Sequence, residues 1–524
     1  MIENSSIYSV NRPNLKNDDN VCIAEIKPYL QPFEQKLALR ELQLVIGKNK
    51  KIDFDGNYAL FSFDNTNFLL STLAYWQRVG HKILYPTHQV LREKTQTGTS
   101  KEENNTLHKT RRLRFGSHNI HEYRGKFFPQ LVRSLINISS LNEDAIVLDP
   151  MCGSGTTIIE SNALGYSAIG IDLNPLSVLI TKAKYSLEKS SITDLFSLKK
   201  DFDSIVNSSS NEKTIWNERD FIYLSNWFSS ECLQEISSLI YAIKKSKHPI
   251  RDVLLVCLSN IIRTISYQKN SDLRVRKEIE DYQKGAARLL FKKEFENLLD
   301  MNLAYKNLDL PSKGVSQIFQ KDSRYLESLD VLKNRKANVL ITSPPYATAL
   351  PYLDTDRLSL ICLGLSERSK HSNLESQMIG TREISEKKRI NDWEFYIANK
   401  THLPSSINKV IDEIALVNHN NDIGFRRKNL PTLLAKYFFS MKRSMESAKN
   451  VLESNSKAYY VVGNNSTWLN KEKYIIDTPS LLFDLAESVG WTKSNFCEME
   501  LLPSRDIFRK NSGNKEYLLE LINK

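Results

Sequence analysis

The feature that most constrains this chain is one compact unit in its first third. Ala145-Ile-Val-Leu148 is a short apolar run closed by Asp149, and a loop with two glycines follows, Pro150-Met-Cys-Gly-Ser-Gly155. Thr156 to Leu164 then carries apolar residues at helical spacing, and Gly165 suits the stop of that helix. Ser167-Ala-Ile-Gly-Ile171 is a second apolar run, closed by Asp172. Strand, glycine loop, helix and strand in that order begin a doubly wound, mostly parallel sheet. The predicted fold class is α/β.

Further strands are predicted at Gln317-Ile-Phe319, ending near Asp322, at Ala337 to Ile341, and at Ala458 to Val462. Helices are predicted over Gln130 to Ile138, Leu430 to Leu452 and Pro479 to Val489, with a terminal antiparallel hairpin. Between the second and third sheet strands the alternation breaks. Residues 191–311 read as a helical insertion, with amphipathic runs at Cys232 to Ile243 and Ile250 to Ile265. The polar stretch 368–429 reads as a second, loop-rich insertion. Residues 1–105 form an N-terminal extension with a helical pattern at Phe33 to Val45, and the stretch 94–105 has a linker's composition. The sheet-forming core therefore spans 106–190 and 312–524.

With 524 residues there is enough chain for two or three cores. A formal charge of +11 and a pI near 9.0 favour a polyanionic partner, since Lys and Arg gain affinity for nucleic acid by releasing condensed counterions. The six cysteines are scattered, with no C-x-x-C pair and no His cluster beside them, which argues against a metal site and against a disulfide framework. The polar N-terminus has no apolar signal region, and the most apolar internal run, Val253 to Ile262, is too short to span a bilayer. The expectation is a cytoplasmic protein with no membrane partner.

The loop Asp149 to Gly155 sits between a strand and a helix, where glycines let the backbone approach a ligand and leave helix N-terminal amides free. About twenty residues on, Asp172 ends the next strand, where a carboxylate can accept both hydroxyls of a ribose. Asp322 ends the strand after that and can accept from an adenine amino group. A phosphate-binding P-loop needs Gly-Lys-Ser/Thr, but Thr156-Thr157 follow Gly155; a dinucleotide fingerprint needs a third glycine, but residue 158 is Ile. An NAD-dependent oxidoreductase is disfavoured on that ground.

Ser343-Pro344-Pro345-Tyr346 ends a predicted sheet strand, the place where open α/β sheets put their active sites. Two prolines fix the backbone and donate no hydrogen bond, so nearby carbonyls become rigid acceptors. A neighbouring aromatic ring can stack on a flat base. The exocyclic amine of cytosine or adenine is a poor nucleophile because its lone pair is delocalised into the ring. Hydrogen bonds from its N–H groups to the Ser343 hydroxyl and the Pro344 carbonyl favour a pyramidal nitrogen with its lone pair free, and positioning supplies most of the acceleration.

Together, Asp149-Pro-Met-Cys-Gly-Ser-Gly-Thr-Thr157 and Thr342-Ser-Pro-Pro-Tyr346 resemble the amino-methyltransferases of bacterial DNA modification. With Ser at its head, the tetrapeptide is most similar to the N4-cytosine group; adenine-N6 members more often carry Asp there. The resemblance covers roughly 110–190 and 315–365 well and 455–520 loosely. It implies a Rossmann-like, S-adenosylmethionine-dependent core with a C-terminal antiparallel hairpin, and the catalytic residues Ser343, Pro344, Pro345 and Tyr346. His118 to Pro129 resembles the segment that packs over the methionine end of the cofactor, which implicates Lys126, Phe127, Phe128 and Pro129. The loop residues Asp149, Pro150, Cys152, Gly153, Ser154, Gly155 and Thr156 would hold the cofactor, with Asp172, Asn174 and Asp322 at its ribose and adenine. Tyr352 to Arg357 extends the match, and Val461-Val-Gly-Asn464 resembles the strand lining the base pocket.

The implied partner is double-stranded DNA, from which the target base must be extruded into the pocket, in company with a cognate restriction endonuclease. Candidate DNA contacts are Arg111, Arg112 and Arg114 before the core, Arg263, Arg274, Arg276 and Lys277 in the helical insertion near Tyr267, and Arg382 in the second insertion. A helical insertion this early departs from the family's usual target-recognition segment, so either insertion can be the one that reads DNA. Two other readings stay open: the same chemistry on adenine N6 or on RNA, and an idle nucleic-acid-binding protein on the same scaffold. The intact loop, Asp172 and tetrapeptide argue against idleness.

Overall fold

Seven strands form one twisted sheet at the centre of the protein. The structure is a computed structural model that describes residues 21–63, 67–95, 111–123, 127–208, 215–269, 277–279, 281–310, 312, 314–347, 352–382, 384–419, 424–500 and 515–524. Lys126, Arg274, Arg276, the first twenty residues and 96–105 of the expected linker lie outside the described residues.

The first five strands, β1 (Val21–Ile26), β2 (Ile52–Phe54), β3 (Tyr58–Ser62), β4 (Trp76–Gly80) and β5 (Leu84–Pro86), make a separate antiparallel sheet in the order β2-β3-β1-β4-β5. The central sheet contains β6 (Ile146–Asp149), β7 (Ser167–Asp172), β8 (Ser316–Gln320), β9 (Ala337–Thr342) and β10 (Leu452–Gly463). After a two-stranded ribbon, β11 (Asn465–Leu469) and β12 (Glu472–Ile476), it is completed by β13 (Thr492–Glu500) and β14 (Lys515–Ile522). The spatial order is β13-β14-β10-β9-β6-β7-β8. Strands β10, β9, β6, β7 and β8 run parallel, and β14 pairs antiparallel with both β10 and β13.

The strands are apolar on both faces, as a sheet covered by helices requires. Ile146 and Leu148 of β6, Leu340 of β9 and Tyr460 and Val462 of β10 face one core, with helices Phe425–Val451 and Thr478–Ser488. Val147, Val339, Ile341, Tyr459 and Val461 alternate onto the other face, which they share with helix Pro129–Asn137 and with apolar residues of the N-terminal sheet. Each fully buried aliphatic side chain of this kind contributes roughly 1.5–3 kcal/mol, so the N-terminal region is held as a layer of the core. Polar links reinforce the contact: Arg40 pairs with Glu520 at 2.7 Å, and Arg92 reaches Glu160 at 2.7 Å.

A third core is entirely helical. Helices Ile192–Val206, Glu218–Ser225, Ser230–Lys245, Asp252–Ile262 and Ala286–Lys306 pack together between β7 and β8 in sequence. Helix Pro175–Lys189 and helix Tyr352–Cys362 contribute to the same core, so the insertion is joined by buried apolar contacts to helices that follow β7 and β9.

The second insertion corrects an expectation. The stretch 368–429 is not loop-rich: it folds into helices Arg368–Gln377, Glu386–Asn399 and Ser405–His419, and the long helix Phe425–Val451 begins within it. These helices bury few side chains, His371 in the first, Tyr396 in the second and chiefly Ile407, Ile411 and Ile414 in the third. Most positions face solvent and are polar, so the helical period is faint in the sequence. Local capping supports them, as where the Ser385 hydroxyl accepts from the Lys388 amide.

Candidate active site

The strand order reverses direction between β6 and β9, which are neighbours in space although β7 and β8 lie between them in sequence. Such a switch point leaves a crevice at the carboxyl ends of the strands. Both motifs lie there: the loop from Asp149 leaves β6, and Ser343-Pro344-Pro345-Tyr346 leaves β9. The Thr342 hydroxyl donates to Asp149 Oδ1 at 2.7 Å and binds the two exits together.

The loop is shaped by its glycines. Gly155 has φ 78° and stands at the N-cap of helix Thr156–Ala163, and a Cβ there would lie 2.5 Å from the Thr181 methyl. No other residue fits that conformation and that contact. The Cys152 amide donates to the Ile171 carbonyl at 2.9 Å, and the Gly153 amide donates to Asp172 Oδ2 at 2.9 Å. Asp172 Oδ1 accepts from the Asn174 amide at 2.8 Å.

A cavity of about 850 Å³, counting its open mouth, lies over this loop. Asp149, Pro150, Cys152, Gly153, Ser154 and Thr156 line it, with Phe127, Asp172, Asn174 and Asp322. Ser343 and Pro345 line it too, so the loop and the tetrapeptide border one space. Of the other predicted cofactor residues, Gly155 shapes the loop from behind, Phe128 packs into the apolar core under the Arg111 guanidinium, and Pro129 opens the following helix. Pro344 is buried and Tyr346 half-buried beside the cavity.

Charge in the cavity is acidic and desolvated. Burial pushes the Asp149 carboxyl up to about 6 against hydrogen bonds from Thr157, Thr342 and the Met151 amide. Burial likewise pushes Asp172 up to about 6, against the amides of Asn174 and Gly153. Asp322 differs: Arg324 grips both of its carboxylate oxygens, so its charge is balanced by the protein. Asn174 has little polar capacity left, because its carbonyl oxygen caps helix Pro175–Lys189 and its amide nitrogen donates to Asp356 at 3.0 Å.

Several wall residues were not predicted. Tyr123 lies over the loop, its hydroxyl bonded to Ser177 Oγ at 2.9 Å, and a Cβ on Gly153 would lie 3.0 Å from its ring. The signal was present, since Tyr123 stands inside His118 to Pro129. Met151, Leu173, Lys321 and Ser323 flank predicted residues directly. Gln377, Met378 and Ile379 come from the second insertion, and no motif marks them. They are fastened from below, the Arg324 guanidinium donating to the Gln377 carbonyl at 2.9 Å and Lys436 Nζ to the Ser376 carbonyl at 2.7 Å. Burial, helped by nearby Lys388, lowers Lys436 to about 8. The next residue, Gly380, approaches the Pro-Pro turn, where a Cβ would lie 3.0 Å from Pro345.

The basic candidates divide by exposure. Arg111 is paired with Glu34 and mostly covered, and Arg112 is buried. Arg114 is exposed and pairs with Glu122 at 3.1 Å. Arg263 is half-buried and donates to the Lys269 carbonyl, and Lys277 is exposed over the Tyr267 ring at 5.5 Å. Arg382 is half-buried, two residues past Gly380. All six cysteines are free thiols, five of them buried. Among the described residues no helix is long and apolar enough to cross a membrane.

Known proteins are similar to this chain. A family profile described as DNA methylase matches residues 33–183. The type II methyltransferase M.MvaI of Kocuria varians is 24% identical over 369 residues, covering 67% of this chain and 77% of its own length. M.BsoBI of Geobacillus stearothermophilus is 26% identical over 315 residues, covering 53% and 58%, and M.AvaI of Anabaena variabilis 23% over 396 residues, covering 71% and 78%. Among solved structures, a SAM-dependent methyltransferase from Methanosarcina mazei aligns at 9% identity and a TM-score of 0.25, over 74% of this chain and 96% of that one. A likeness that slight adds nothing to the strand order described above. The glycine loop, the Pro-Pro turn and the sequence matches agree: the chain is similar to the bacterial DNA amino-methyltransferases.

Proposed function

We propose that this protein is a site-specific DNA methyltransferase that transfers a methyl group from S-adenosylmethionine to the exocyclic N4 of cytosine in duplex DNA, as the modification half of a restriction-modification pair. One observation carries the reading: a single cavity is lined both by Asp149 and Asp172 and by Ser343 and Pro345. A cofactor held by the first pair is therefore next to a base held by the second.

The lining suits that cofactor. Asp172 keeps unshared lone pairs for ribose hydroxyls, the desolvated Asp149 and Asp172 favour a cationic ligand, and Phe127, Leu173, Met378 and Ile379 offer apolar surface to a flat adenine. S-adenosylmethionine, when bound, supplies an electrophilic sulfonium methyl.

This chain's own residues prepare the nucleophile. The Ser343 hydroxyl and the Pro344 carbonyl accept hydrogen bonds from the target N–H groups, which draws the nitrogen out of conjugation. Pro344 and Pro345 hold those acceptors rigid, and Tyr346 stacks on the extruded base. The amine needs no base before it reacts, because its proton becomes acidic only once the nitrogen carries the methyl. Ser343 at the head of the turn favours cytosine N4 over adenine N6. Phosphate contacts are assigned to Arg114, Lys277 and Arg382, which keep exposed or half-exposed positions, ahead of the covered Arg111 and Arg112.

The test is incubation with methyl-labelled S-adenosylmethionine and either duplex DNA or RNA. The expected outcome is label in duplex DNA alone. Label in RNA alone, or in neither, contradicts the proposal.

A further inference from the structure

Tyr346 is held from two sides by the end of the central sheet. Its hydroxyl donates to Glu516 Oε1 on β14, and its ring lies against Gly463, the last residue of β10. Gly463 and Glu516 are cross-strand partners in the β10–β14 ladder. The seat is therefore one rung of sheet: a carboxylate on one strand and a missing side chain on the other. A Cβ at Gly463 would lie 2.9 Å from the Tyr346 ring, closer than side chains pack, so the ring takes this place only because position 463 is glycine.

Neither feature is needed to close the sheet. A glycine adds no side chain to the packing at the end of a strand, and a half-buried glutamate is costly there unless something uses it. Burial pushes the Glu516 carboxyl above the ordinary glutamate range, while the Tyr346 hydroxyl opposes that shift. The same turn is met from the other side by Gly380. A stacking ring fixed at its hydroxyl loses its freedom to swing before the base arrives, and positioning of that kind lowers the barrier without any new contact to the cofactor.

We propose that Glu516 is a positioning residue for base capture, acting through its hydrogen bond to Tyr346 and through the vacant flank left by Gly463. The inference rests on the reading of Ser343 to Tyr346 as the base-holding turn, and its test separates the two. Five variants are compared with the wild-type protein: Tyr346→Ala, Tyr346→Phe, Glu516→Ala, Glu516→Gln and the double variant Tyr346→Phe/Glu516→Ala. Methyl transfer to unmethylated genomic DNA is measured as kcat and KM, and binding of S-adenosylmethionine by calorimetry.

The expected result is that Tyr346→Phe and Glu516→Ala each lower kcat about tenfold, the scale of one lost hydrogen bond to a charged group, with the cofactor Kd unchanged. The double variant should lose no more than either single one, because both remove the same bond. Glu516→Gln keeps an acceptor oxygen at the same reach and should restore most of the loss seen with alanine. Additive losses in the double variant, or an unaltered kcat in Glu516→Ala beside a large loss in Tyr346→Ala, overturn the role of Glu516 while leaving the turn intact. Full turnover in Tyr346→Ala overturns the stacking role itself, and the inference with it.

Discussion

The Thr342 hydroxyl donates a 2.7 Å hydrogen bond to the Asp149 carboxylate, across 193 residues of sequence. It ties the last residue of β9 to the last residue of β6, the two strands whose exits carry the two motifs. A buried carboxylate needs such partners, and here the partner belongs to the other half of the site. The glycine loop and the Pro-Pro turn are thereby fixed relative to each other.

Replacing Thr342 by Val keeps the side chain's shape and removes that donor. The Asp149 carboxyl should then rise further above its already raised value, and S-adenosylmethionine should bind about tenfold more weakly at neutral pH, in keeping with a lost charge-assisted hydrogen bond. Isothermal titration of the variant checks it.

The pH dependence follows from Asp149 and Asp172, both pushed up to about 6 by burial. A cationic ligand favours their charged forms, so binding should weaken as pH falls below about 6, by up to about tenfold per unit for each carboxylate. Stability of the ligand-free protein should move the other way. A carboxyl whose folded pKa is raised contributes stability that is complete below its unfolded value and is lost as pH rises through about 6. Thermal melts at pH 5 and pH 7, with and without the cofactor, should show the two opposite trends.

Glu160 is fully buried behind the glycine loop and accepts from Arg92 at 2.7 Å, Arg133 at 2.8 Å and His118 at 2.7 Å. Burial works against its charge, but Arg92 and Arg133 outweigh it and hold the carboxyl well below the usual range. Glu160→Gln leaves two buried guanidinium groups short of a counter-charge and should destabilise the fold by about 3–5 kcal/mol. Denaturant unfolding measures the loss, which should far exceed that of an exposed pair such as Arg114–Glu122.

Gly155→Ala places a methyl group 2.5 Å from Thr181 in a left-handed backbone conformation. Cofactor binding should be lost while the circular dichroism spectrum and the helical cores are retained, since only the loop must move.

Much of this was legible in the sequence because the central sheet is apolar on both faces and its strands are short. The runs at Ala145 to Leu148, Ser167 to Ile171 and Ala337 to Ile341 coincide with β6, β7 and β9 to within a residue or two. The carboxylates at their ends fall into the cavity for the same reason, since residues at strand exits converge at a switch point. What was hidden depends on contacts between distant segments. The helices of 368–429 bury too few residues to show a period, so neither their form nor the wall made by Gln377 to Ile379 could be read. Arg324 announces nothing by itself; only the fold shows that it neutralises Asp322 and holds the Gln377 carbonyl. The buried Glu160 group draws its partners from residues 92, 118 and 133, a spacing with no sequence signature.

The most direct measurement is the identity of the product. DNA incubated with S-adenosylmethionine and the protein is digested to nucleosides and separated by mass spectrometry against authentic standards. The expected product is N4-methylcytosine, absent when Ser343 is replaced by Ala in a protein that still binds the cofactor. N6-methyladenine in its place contradicts the assignment of the base, and no methylated nucleoside from the wild-type protein contradicts the site as a whole.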